Sequence, residues 1–153
     1  MAVRAVRRSA ERNGCGPAVA GEGGCEMFIT VRSKHSIGEV RQRFEDAAAG
    51  RKFGVQGIHN VTATLQGKGL VFDRKLYIYE ICNPGYAKKV LDANIRISTA
   101  LPCRVSIYVD GDDVVLETIK PTMLLPMFNE PALEGTANEV EAAITAIMQE
   151  AAK

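Results

Sequence analysis

Tryptophan is missing from this 153-residue chain, and the other aromatics are few: four Tyr and five Phe. Single-stranded nucleic acid is held largely by stacking on such rings, so platforms for it are scarce. Excess charge is missing as well, the formal net charge being +1. Residues 1–26 carry Arg4, Arg7, Arg8 and Arg12 against Glu11, Glu22 and Glu26, and the remaining positions balance 15 basic against 15 acidic side chains. A neutral body lacks the clustered cations that displace phosphate counterions, so no nucleic-acid partner is expected. No apolar run approaches the roughly 20 residues that span a bilayer, and no membrane partner is expected. Ala18-Val19-Ala20 is too short for the apolar region of an export signal, and Glu22 and neighbouring glycines interrupt the chain directly after it. The cysteines, Cys15, Cys25, Cys82 and Cys103, form no C-x-x-C pair and match no standard zinc spacing. Without an export signal, reduced thiols in a cytoplasm are the expectation.

The residues that are present make ordinary globular material. Hydrophobic residues make up 46% and charged residues 24%, enough apolar surface at this length for one domain with a core. Residues 1–26 are rich in Ala, Gly and Arg and lack any sustained apolar period. They bury too little surface to offset the entropy of ordering, so they read as a disordered tail, or as a start placed too far upstream of Met27. The single domain is then 27–153.

Along that domain the periodicity is informative. Phe28–Arg32 alternates as a half-buried strand does. Ser36-Ile37-Gly38-Glu39 is a capping-box signature, and Ile37, Val40, Phe44 and Ala47 recur at helical spacing until Gly50. Phe53–Val61 reads as extended with a bend at its glycines, and Thr62–Gly69 as a short helical turn. Arg74–Cys82 is a strong β run, with Leu76, Ile78, Glu80 and Cys82 on one face and Lys75, Tyr77, Tyr79 and Ile81 on the other. Asn83-Pro84 starts a helix, and Leu101-Pro102 ends a short irregular piece after it. Cys103–Val109, the turn Asp110-Gly111-Asp112-Asp113 and Val114–Ile119 make a hairpin. Pro121 opens a short apolar helix. Thr136-Ala137-Asn138-Glu139 is a second capping-box pattern for a C-terminal helix, which has an alternative start near Ala132. The order β-α-β-β-α-β-β-α predicts an α+β fold, a mainly antiparallel sheet with helices packed on one face.

The stretches YEICNPGYAKKVL and LPCRVSIYVDGDDVVLETIKP, with FITVRSKHSIGEVRQRFEDAAAGRKFGV and GIHNV before them, resemble the domain-of-unknown-function family 302. The resemblance covers about 27–153, and Glu-x-Cys-Asn-Pro and Leu-Pro-Cys are its most specific parts. It implies a compact α+β fold of the TATA-binding-protein-like class, often a homodimer. It implies no activity.

The chemistry-bearing candidates gather around Glu80, Cys82, Asn83 and Cys103. A thiol at Cys82 would meet the positive end of the Asn83-Pro84 helix, which favours a thiolate, while an ionised Glu80 nearby opposes it. Cys82 and Cys103, with Glu80 and His59, would make a soft-metal site; the same thiols would otherwise form a redox pair or line the site of a small ligand. Buried, inert cysteines at element ends are the simplest alternative. His35 reads as a surface or cap residue. Gly67-Lys68-Gly69 lacks the spacing of a phosphate-binding loop and reads as the end of a helix. Met123–Phe128 is either core or partner surface. No catalytic motif is present. The expectation is a homodimer that binds a small ligand or metal ion near Glu80, Cys82 and Cys103. The alternatives are a thiol redox protein or enzyme using Cys82, and a structural interaction module.

Overall fold

The structure is a computed structural model, and it describes residues 27–153; the expectation for the tail lies outside the described residues. Strand β1 (Phe28–Ser33) leads to helix α1 (Ile37–Gly50), strand β2 (Gly54–Asn60) and the short helix α2 (Val61–Gly67). Strand β3 (Leu76–Cys82) is succeeded by helix α3 (Pro84–Ala93) and a 3₁₀ turn (Ile95–Ala100). The hairpin β4 (Cys103–Asp110) and β5 (Asp113–Ile119) comes next. Then come helix α4 (Pro121–Leu124), two 3₁₀ turns and helix α5 (Glu134–Ala152). The five strands lie in the order β1-β5-β4-β3-β2, every neighbour antiparallel.

Local chemistry starts and stops these elements as the residues dictate. The Ser36 capping box is complete: Glu39 N–H donates to Ser36 Oγ at 3.3 Å and Ser36 N–H donates to Glu39 Oε2 at 3.0 Å. The Ser36 hydroxyl, which donates to Glu39 Oε2 at 2.8 Å, and then the Ser36 N–H favour the ionised carboxylate and lower the Glu39 pKa. The left-handed residue that ends α1 is Lys52 (φ 62°), not Gly50; Phe53 N–H returns to the Ala48 carbonyl at 2.9 Å. Helix α5 takes the earlier of its two anticipated starts. Its capping-box pattern is unused: Thr136 lies inside the helix, 1% exposed, its hydroxyl unpaired among the described residues.

Alternation then decides the layers. Tyr79 and Ile81 of β3, Val105 and Ile107 of β4 and Leu116 of β5 point to one face and are wholly buried. Against them pack Val40, Phe44 and Ala48 of α1 and Ile144, Ile147 and Met148 of α5. The Phe44 ring meets Tyr79 edge-on at 5.1 Å. A smaller cluster, Val90, Ile97 and Leu133, ties α3 to the two 3₁₀ segments beside it. The opposite sheet face is open to solvent at Thr30, His59 and Arg104.

One departure from regular pairing matters for function. The β4–β5 ladder runs from Asp110–Asp113 to Ser106–Glu117 and stops, although β4 begins at Cys103 and β5 continues to Ile119. Strand β5 stays with β1 to the Phe28–Ile119 pair, so β4 and β5 part at this end. The Thr118 hydroxyl donates to the Arg104 carbonyl at 2.6 Å and satisfies a group that the missing ladder leaves over.

Candidate functional site

A cavity of about 420 Å³ opens where β4 and β5 part. Both sheet faces contribute to its wall: Phe28, Arg104, Glu117 and Ile119 from the open side, Ile81 and Cys103 from the helix side. Helix α3 adds Tyr86, Ala87 and Val90; α5 adds Val140 and Ile144; Leu101 and Leu125 come from the segments flanking the gap. Most of this wall is hydrocarbon, as small-molecule sites generally are.

Cys82 and Cys103 both line the cavity. They reach it from different positions. Cys103 lies opposite Ile81 in the β3–β4 ladder and joins the core, whereas Cys82 ends β3 beside Gly54. Both are free thiols. Burial, and then the nearness of Cys82, push the Cys103 thiol up to about 11. Burial alone raises Cys82. Both sulfurs are therefore protonated at neutral pH, the opposite of what a nucleophilic or redox-active cysteine needs.

The α3 N-terminus does not supply the stabilised thiolate that the sequence suggests. Asn83 is the N-cap, and its Oδ1 accepts from Gly85 N–H at 3.0 Å and Tyr86 N–H at 3.3 Å. The donors that would hold an anion there are already taken by the amide.

Glu80 is also displaced from its expected neighbours. Adjacent strand residues point to opposite faces, and with Tyr79 and Ile81 in the core, Glu80 faces the open side. Its Oε1 receives Arg104 Nε at 3.3 Å, and its Oε2 lies 3.4 Å from His59 Nε2. Gly57 makes the room: a Cβ there would sit 2.9 Å from Glu80 Oε2. So Glu80 and His59 form a surface pair with Arg104, while Cys82, Asn83 and Cys103 belong to the cavity. The anticipated set divides in two: Cys82 and Cys103 share the cavity lining, and Glu80, with His59, does not join them there. Among the described residues no three His, Cys, Asp or Glu side chains gather to hold a metal ion.

The remaining candidates fall in ordinary places. His35 Nε2 sits 2.7 Å from the Lys153 carbonyl and ties the chain end to α1. Lys68 caps α2, and Gly69 takes the positive φ (76°) of the turn after it. The Met123–Phe128 run is split: Leu124 and Leu125 line the cavity, while Met123 and Met127 are exposed. Sequence reasoning passed over Arg104, Ser106 and Glu117. Register alone brings them to the gap, Arg104 opposite Glu80 and Ser106 opposite Glu117.

The model of a domain of unknown function, DUF302, matches residues 29–151. The chain belongs to the DUF302 family. A solved structure of an uncharacterized conserved DUF302 protein from Bacillus stearothermophilus superposes with a TM-score of 0.79 at 33% identity. The match covers 82% of this chain and 98% of that one. No curated protein matches the sequence. The DUF302 domain here is thus a single α+β unit with an open five-stranded antiparallel sheet. No helix among the described residues is long and apolar enough to cross a membrane.

Proposed function

We propose that this DUF302 domain is a non-enzymatic binding protein for a small, largely apolar molecule, held in the cavity between the parted ends of β4 and β5. The observation that carries this reading is the cavity itself: about 420 Å³, walled mainly by hydrocarbon, with both thiols on its lining. The protonated state of Cys82 and Cys103 favours binding over thiol chemistry, since neutral S–H groups act as small hydrophobes. A reducing compartment, the cytoplasm, would keep them free. The test is benzene titration of isotope-labelled protein monitored by NMR. The amides of Ile81, Cys82, Cys103 and Ile144 are expected to shift together and saturably, and Ala87→Phe, which fills the cavity, to abolish the shifts. Scattered or absent shifts in the native protein overturn the reading.

We also propose that the protein works as a homodimer. The exposure of Ile95, Met123 and Met127 supports an apolar contact surface beside the cavity. Light scattering should give twice the chain mass at tens of micromolar. A clean monomer there ends the proposal.

A further inference from the structure

The cavity wall is mostly apolar and carries two charged residues, Arg104 and Glu117, that are not paired with each other. Glu117 lines it from the open side of β5. Its Oε1 accepts from the Thr30 hydroxyl at 2.8 Å and its Oε2 from the Tyr108 hydroxyl at 3.0 Å. These two neutral donors position the carboxylate without neutralising it. Among the described residues it forms no salt bridge. Arg104, the cation that shares the lining, gives its Nε to Glu80 instead, at 3.3 Å. The cavity wall therefore holds one cation, Arg104, bonded to Glu80 outside it, and one carboxylate, Glu117, that lacks a salt-bridge partner among the described residues. A partly buried carboxylate with no counter-ion favours a cation over a neutral group or an anion.

We infer that the ligand is a cationic amphiphile, a protonated amine on an apolar body, with Glu117 as the counter-ion of its ammonium group. This rests on the binding reading above and names the chemical class that the site takes. The apolar body lies toward Ile81, Tyr86, Val140 and Ile144. The ammonium reaches Glu117, whose carboxylate the Thr30 and Tyr108 hydroxyls hold in one position. The pair stays partly hydrated, so its contribution is one of selectivity rather than of total affinity.

Three probes with a matched body test it by calorimetry on the full chain: 4-phenylbutylamine, 4-phenylbutan-1-ol and 4-phenylbutanoate. The amine is expected to bind at least fivefold more tightly than the alcohol, and the carboxylate most weakly. Raising sodium chloride from 50 to 500 mM should weaken the amine and leave the alcohol unchanged, because screening acts on the charge alone. Glu117→Gln should remove the amine's advantage without changing the alcohol. The salt comparison on the native protein decides the matter if that variant does not fold. An alcohol that binds as tightly as the amine overturns the cation assignment and leaves the cavity reading standing, as does a carboxylate that binds tightest. An amine advantage that survives both Glu117→Gln and high salt overturns the role of Glu117. No binding of any of the three overturns the cavity reading and this inference with it.

Discussion

Replacing Tyr79 by Phe tests the packing of α1 on the sheet through a single oxygen atom. The Tyr79 side chain is wholly buried beneath α1. Its hydroxyl donates to Glu45 Oε1 at 2.7 Å and accepts from Arg41 Nε at 2.9 Å, so one phenol links a carboxylate and a guanidinium on the same helix. Hydrogen bonds to charged groups contribute about 1.5–3 kcal/mol each. The full sum will not be lost, because Arg41 and Glu45 are only partly buried and water can replace the missing oxygen. Arg41 also keeps its place over the Tyr77 ring, 3.7 Å from the centroid. The expected cost is therefore about 1.5–2 kcal/mol, which lowers the melting temperature by roughly 5–8 °C in a domain of this size. Urea unfolding monitored by circular dichroism at pH 7 reads it, with an unchanged dependence on denaturant. A double-mutant cycle with Glu45→Ala should give a coupling energy of about 0.5 kcal/mol or more. Burial first, and then Glu45, push the Tyr79 pKa up to about 12. The folded state thus holds this proton more tightly than the unfolded chain, whose tyrosines ionise near pH 10. The corresponding stability is complete below that pH and is lost as the pH rises toward about 12. Tyr79→Phe should lack this alkaline loss. A variant as stable as the native protein at pH 7, with zero coupling to Glu45, would refute the reasoning.

Other outcomes are expected from the same structure. With Cys15 and Cys25 replaced by Ser, iodoacetamide should modify Cys82 slowly at pH 7 and Cys103 more slowly still, both speeding up only in alkali; rapid alkylation of Cys82 near pH 6 contradicts the protonated-thiol assignment. Asn83→Ala should cost about 1 kcal/mol through loss of the α3 cap, whereas Asn83→Asp keeps the acceptor and should be near neutral in thermal unfolding. Lys34, and after it Arg32, hold the Asp113 carboxyl below the usual carboxylate range. Its contribution to stability is present above about pH 4 and is lost as the pH falls through the lowered value, so Asp113→Asn should flatten acid unfolding in that window. High salt should shrink the difference between that variant and the native protein, as this pair sits at the surface; a difference that salt leaves intact contradicts the assignment.

Local signals in the chain are strong wherever one residue type does one job. Ser36 and Glu39 cap α1, Asn83 and Pro84 start α3, and Gly111 turns the β4–β5 hairpin with a positive φ, all as local chemistry requires. The second capping box is equally legible and goes unused, because α5 starts earlier and seats Thr136 in a buried position where its hydroxyl has no cap to make. A cap motif reports what the backbone can do locally, and tertiary packing can override it.

The order of the elements, the alternation in β3 and β4, and so the α+β class with helices on one sheet face, are determined by the sequence alone, because each depends on contacts within a few residues. The same alternation places Cys82 on Glu80's face of the strand, yet the end of β3 brings Cys82 to the cavity and leaves Glu80 on the open side with His59 and Arg104. Only the tertiary structure made that division. It also decided that β4 and β5 separate beyond Ser106 and Glu117, opening a cavity and leaving one carboxylate on its wall without a counter-ion among the described residues. The reason is that strand register and strand parting are set by pairing between residues far apart in the chain, and local propensity carries no record of which distant partner a strand finds or where it lets go.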